Sequence, residues 1–144
     1  MTLQIALLLA VLTQGTLVFG LAFWLGKKRL HLVRNKQVRV ADIALSSDPW
    51  PGDAKQAANA FNNQFQLPVL LYVAVAISLY VGAQWLDVLL AWAFVIARVV
   101  HALIHITTNQ VFHRFSAYTT SFFIIAGWWI VLIIRVITQL EGTV

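Results

Sequence analysis

Two sets of polar residues interrupt an otherwise apolar sequence, and each falls on a single helical face. In "WAFVIARVVHALIHITTNQVFHRF", Arg98, His101, His105 and Asn109 follow one another at spacings of three, four and four residues. Upstream, Gln56, Asn59, Asn63 and Gln66 step by three, four and three, with Asn62 beside them. Both spacings place side chains on one side of an α-helix. A guanidinium and a row of amides can bind an anion and read peptide bonds, whereas histidines four residues apart can also ligate a metal. Two histidines alone make a poor metal site, and no carboxylate lies near them in the sequence. Haem would normally take histidines from facing helices, and no other span contains one, so neither metal nor haem is expected. Two readings stay open: a buried polar network that ties helices together, or a pocket for an anionic or amide-rich ligand.

The elements that must position these residues are membrane helices. Of the 144 residues 60% are hydrophobic and 10% charged, more apolar surface than a soluble domain of this length could hide. Several stretches of about 20 apolar residues are each long enough to cross roughly 30 Å of hydrocarbon. Four spans are expected, at about 3–25, 65–81, 86–107 and 118–138; a polar cytoplasmic extension enlarges the second to 54–82. Together they form one all-α, integral membrane four-helix domain. The first span is expected to be retained rather than cleaved as a signal. It lacks a basic leader, its apolar stretch is too long, and Lys27, Lys28 and Arg29 follow it.

Charge orients the bundle. Lys27, Lys28, Arg29, Arg34, Lys36, Arg39 and Lys55 fall between the first two spans, and Arg114 falls between the third and fourth. The connection at 83–87 has no basic residue. The positive-inside rule then puts loop 26–53 in the cytoplasm and both termini outside it. The formal net charge of +5 is thus a topology signal and a means of holding lipid headgroups. Basic residues interleaved with Leu30, Leu32, Val33, Val38 and Val40 read as a segment lying along the inner leaflet. No soluble basic domain exists to bind nucleic acid. The absence of cysteine removes thiol catalysis and disulfides.

Arg98 lies about 12 residues into its span, roughly 18 Å deep and close to the midplane. A lipid-facing arginine there costs at least about 2.5–3.5 kcal/mol, so it must face the bundle. Matching depths along the helices makes Gln14 and Tyr72 its expected partners, and Gly127 is expected to allow close helix approach. Pro68, after "NAFNNQFQL", is expected to kink the second helix as it enters the hydrocarbon. Asp53 is expected to cap that helix at Ala54. The amide row either faces water in solvated turns or lines a polar pocket near the cytoplasmic leaflet.

The Asn-rich approach to a proline in "NAFNNQFQLPVLLY", the "ARVVHALIH" of the third span and the "HRFSAY" leading into the fourth resemble the MAPEG family. These are membrane-associated proteins of eicosanoid and glutathione metabolism. The resemblance implies a homotrimer of four-helix protomers that binds glutathione between subunits near the cytoplasmic side. An arginine there stabilises the thiolate that attacks a lipophilic electrophile or hydroperoxide. Carried over residue by residue, it implies Arg114 as the catalytic arginine. It gives Asn59, Asn62, Gln66, Arg98, His101, His105 and Tyr118 as ligand-binding residues, and glutathione as co-substrate. Membrane lipid, a lipophilic small molecule and sister subunits are the implied partners. The sequence also departs from the family pattern. Phe65 or Gln66 stands where catalytic members carry Glu, Ala57 or Ala58 stands where they carry Arg, and His101 and His105 replace usual tyrosines. The alternative is a non-catalytic trimeric membrane protein whose interface cavity binds lipid or only packs.

Overall fold

The computed structural model describes residues 2–44 and 47–141, all helix and connections. Five α-helices make four spans: α1 (Leu3–Arg34), α2 (Gly52–Asn62) with α3 (Leu67–Val81), α4 (Trp85–Ile106) and α5 (Val111–Glu141). Each of the four is long and apolar enough to cross a membrane. α1 packs on α2, α3 and α4, and α5 packs on α3 and α4. Their shared core is built from Leu7, Ala10, Leu71, Ala74, Ala91, Phe94, Ile125 and Trp128. Small residues sit where backbones approach, and large ones fill the gaps, as helices in lipid require. The outer surface is apolar too: Phe19, Tyr80, Ile96 and Phe123 are exposed. That is the surface expected of a protein solvated by hydrocarbon.

Polar helix turns extend the spans beyond their apolar cores. α1 continues past the expected end of its span to Arg34, and α5 begins at Val111, well before its apolar stretch. Hydropathy marks only what lies in hydrocarbon, while backbone hydrogen bonding carries the helix on into the headgroup layer. α1 closes with a Schellman turn, Gln37 N–H donating to the Leu32 carbonyl and Lys36 N–H to that of Val33, both at 3.0 Å. Lys36 takes the left-handed conformation this motif needs, with φ of 57°.

The second span is not one kinked helix. α2 ends in a 3-10 turn over Asn63–Phe65. The chain then breaks at Gln66 (φ −99°, ψ −104°), and α3 starts anew with Pro68 in its first turn. Pro68 therefore begins a helix where its missing N–H has no partner to lose, instead of bending one that runs through it. α2 itself starts at Gly52, and Asp53 accepts from the Ala54 N–H at 2.9 Å from within the first turn. Its buried face is Ala54, Ala57 and Ala60, not the amide row. Gly127 likewise differs from expectation, for it is exposed and nothing lies within 4 Å of where its side chain would stand.

At the end of the bundle away from the basic loop, Asp87 is completely buried. Arg135 grips it through two N–H donors, NH1 at 2.8 Å and NH2 at 3.2 Å. The Trp128 indole donates to it at 2.9 Å and the Gln84 backbone at 2.8 Å. Each carboxylate oxygen is satisfied twice, which a buried charge requires.

Candidate functional site

At the basic end, where α2 turns toward α3 and α4 hands over to α5, lies an open cavity of about 470 Å³. Asn59, Asn62, Asn63 and Gln66 form one wall, His101 and His105 the floor, and Arg114 and Tyr118 the far wall. Val111 and Phe115 make an apolar lip. The early start of α5 is what brings Arg114 and Tyr118 over the floor, one helical turn apart. No carboxylate lines the space, so its character is cationic and amide-rich.

The floor is held by directed bonds. Gln56 Nε2 donates to the His105 carbonyl at 2.6 Å, tying α2 to the last turn of α4. His101 Nδ1 lies 3.0 Å from the Arg114 carbonyl. A carbonyl only accepts, so Nδ1 carries the proton and a neutral ring keeps its lone pair on Nε2. That Nε2 is buried with no partner. Arg114 uses both NH1 protons within the protein, on Asn109 Oδ1 at 2.6 Å and His105 Nε2 at 3.2 Å. Asn109 adopts a left-handed backbone (φ 49°) at the close of α4, its N–H donating to the Ile104 carbonyl at 2.8 Å. Asparagine tolerates this conformation better than most residues. The turn that ends α4 thereby aims an amide oxygen at the arginine. The remaining Arg114 donors, Nε and NH2, have no hydrogen-bond partner among the described residues.

Of the eight site residues that the resemblance implied, Arg98 alone does not line the cavity; Gln56 and Asn109, from the two polar rows, brace it from outside. Arg98 sits behind the cavity, fully buried as its depth demanded. Its partners are not the expected ones. NH2 donates to the Asn63 carbonyl at 2.9 Å, and the guanidinium lies 5.7 Å from the Tyr118 ring centroid. Gln14 instead donates to Gln64 Oε1 at 3.0 Å, and Gln64 donates back to the Ala60 carbonyl at 3.1 Å. Matching depths takes no account of the direction in which a side chain faces or reaches, and Arg98 reaches Asn63, nine residues before Tyr72. The Asn63 carbonyl is available because the helix tightens and then breaks after it, a feature that hydropathy does not carry. Arg98 Nε and NH1 are buried and unpaired, with no acidic group bonded to them. A buried cation so poorly compensated is costly.

Asn63 lines the cavity as the pocket reading of the amide row expected, although the resemblance did not give it as a ligand-binding residue. Asp87 and Arg135 were missed altogether. The signal was present, in an acid in the first turn of one span and a base in the last turns of the next.

The sequence model of the MAPEG family matches residues 6–134, a range that holds every residue lining the cavity. No curated protein and no solved structure matches the chain.

Proposed function

The chain belongs to the MAPEG family, and on that premise we propose that it is a glutathione-dependent transferase or peroxidase. Its cavity between α2, α4 and α5 would be the glutathione site, and lipophilic electrophiles the second substrate. The observation that carries this reading is Arg114, whose NH1 is held by Asn109 and His105 while Nε and NH2 stay free for a ligand. A guanidinium held before the ligand arrives loses little side-chain freedom on binding, and it favours thiolate over thiol. Asn59, Asn62 and Gln66 offer amide donors and acceptors to the peptide groups. Val111 and Phe115, both exposed, give the lipophilic substrate an apolar approach. In conjugation the thiol proton leaves to water, the sulfur bonds to the electrophilic carbon, and the leaving group departs with its electron pair.

The same reading has three protomers sharing the interface that carries Asn59, Asn62 and Gln66. Loop 26–53 faces the cytoplasm and both termini lie outside it. The basic side chains 27–39 and 55 support this orientation.

The test is the pH dependence of conjugation to a chloronitrobenzene electrophile. The rate should rise through a midpoint below the value of about 8.5 for an ordinary thiol. Arg114→Ala should lower the rate and move the midpoint upward. A midpoint that stays in place in the variant removes Arg114 from the chemistry.

One observation favours the second reading, a non-catalytic trimer with a packing or lipid-binding cavity. No carboxylate is present to hold the ammonium group of glutathione, and the polar side chains already cross-link α1, α2, α4 and α5. Absence of conjugation by the wild type at any pH would favour it.

A further inference from the structure

A second cavity, of about 740 Å³, lies where α1 leaves the apolar span, and it owes nothing to the site described above. Trp24, Lys27, Lys28, His31 and Arg34 line it from α1. These positions recur every three or four residues, so they share one helical face. Gln37, Pro51 and Asp53 close the opposite side. The Schellman turn at Lys36 folds the chain back, and a small apolar cluster of Leu32, Val38, Trp50 and Ala54 locks it there. Arg29 stacks 4.8 Å over the Trp50 ring and stiffens the same corner. The groove is therefore preformed.

Its charge is unbalanced. Asp53, the one acid lining it, is taken by Lys28 at 3.1 Å. Lys27 and Arg34 are exposed and make no side-chain hydrogen bond or ion pair among the described residues. Toward the membrane, Phe23 lies one turn below Lys27 and Phe19 one turn further, 76% and 79% exposed, an apolar strip that continues the Lys27 and Arg34 edge of the groove. Trp24 marks the boundary between strip and groove, at the depth where indoles settle in membranes. Cations above an apolar strip at a membrane boundary match one molecule in both parts, a phosphate with acyl chains.

We propose that this groove binds an anionic phospholipid of the adjoining leaflet. Lys27 and Arg34 contact the phosphate, Gln37 and His31 donate to the headgroup, and the chains lie along Phe19 and Phe23. A free phosphate would use the cations and ignore the phenylalanines. A zwitterionic lipid would use the phenylalanines and gain little from the cations.

Native mass spectrometry of the protein in neutral detergent, titrated with phosphatidylglycerol or phosphatidylcholine, tests the proposal. The first phosphatidylglycerol should bind roughly thirtyfold tighter than the first phosphatidylcholine, in line with attraction of about 1 kcal/mol at each of two basic residues. Lys27→Gln/Arg34→Gln should erase that preference, while Lys36→Gln/Lys55→Gln, which removes equal charge outside the groove, should keep it. Phe19→Ala/Phe23→Ala should weaken phosphatidylglycerol binding, and inorganic phosphate at matched ionic strength should not compete. Equal affinity for the two lipids overturns the proposal. So does equal loss in both charge variants, which would mean diffuse attraction, and so does competition by inorganic phosphate, which would mean a soluble ligand. Circular dichroism on each variant should match the wild type, since all the replaced side chains lie on the surface.

Discussion

Arg98 and Asp87 are both fully buried charges, and the protein treats them in opposite ways. Asp87 has four donors around it, two of them from a cationic partner; Arg98 has one carbonyl, one aromatic ring and two nitrogens without a partner. Removing one partner of a well-paired buried ion leaves the other stranded, at a cost of about 3–5 kcal/mol. Removing a charge that was never compensated forfeits only its single bond, about 1–3 kcal/mol, and relieves its own desolvation. Unfolding in denaturant should therefore show Asp87→Asn far less stable than wild type and Arg98→Leu within about 1–2 kcal/mol of it. Equal destabilisation by the two would mean that Arg98 is a structural strut. The sequence made Arg98 conspicuous because an arginine amid apolar residues has nowhere to go but inward. It hid Asp87 and Arg135 because each stands near the end of a span, where a charge excites no suspicion. Spacing made Asn59, Asn63, Gln66, His101 and His105 legible, whereas Arg114 and Tyr118 came from the family resemblance and Val111 and Phe115 went unnoticed. The bonds among these side chains were not legible, since those depend on the rotation of α5 against α4 and on where each helix ends.

Helix ends, rather than helix bodies, set the character of this fold. The four spans could be read from hydropathy because each is a long apolar run with no competing structure. Of their polar continuations only that of the second span was read, from its turn and cap residues, while the first turns of α5, which supply Arg114 and Tyr118 to the site, were not. The break at Gln66 was misread as a kink at Pro68 because a proline's preference for a helix start and its ability to bend one leave the same mark in a sequence. Lys36 gives this scale a direct check. It holds a left-handed φ of 57°, which glycine adopts freely and other L-residues at a cost of roughly 1–2 kcal/mol. Lys36→Gly should raise the denaturation midpoint by the equivalent of up to about 1 kcal/mol, part of the gain being lost to the greater freedom of glycine in the unfolded chain. A fall in stability would show that the Lys36 side chain matters more than its backbone.

For the molecule as a whole, the proposed trimer gives the amide row partners that one chain does not supply. Asn59, Asn62 and Gln66 are exposed on a single protomer, close to hydrocarbon, where polar groups without partners are costly. Sister chains and a polar ligand are the partners that the proposed function provides. Native mass spectrometry in mild detergent should give a trimer, and a monomer would leave the amides without the neighbours the proposal requires. The cavity would then have to be served by ligand alone. The central claim is that it takes glutathione, and the most direct measurement is calorimetric titration of glutathione into the wild type and Gln66→Glu. The wild type should bind, and Gln66→Glu should bind more tightly, because a charge-assisted bond to the ammonium group is roughly twice as strong as the neutral one it replaces. No heat of binding at millimolar glutathione in either protein would contradict the account.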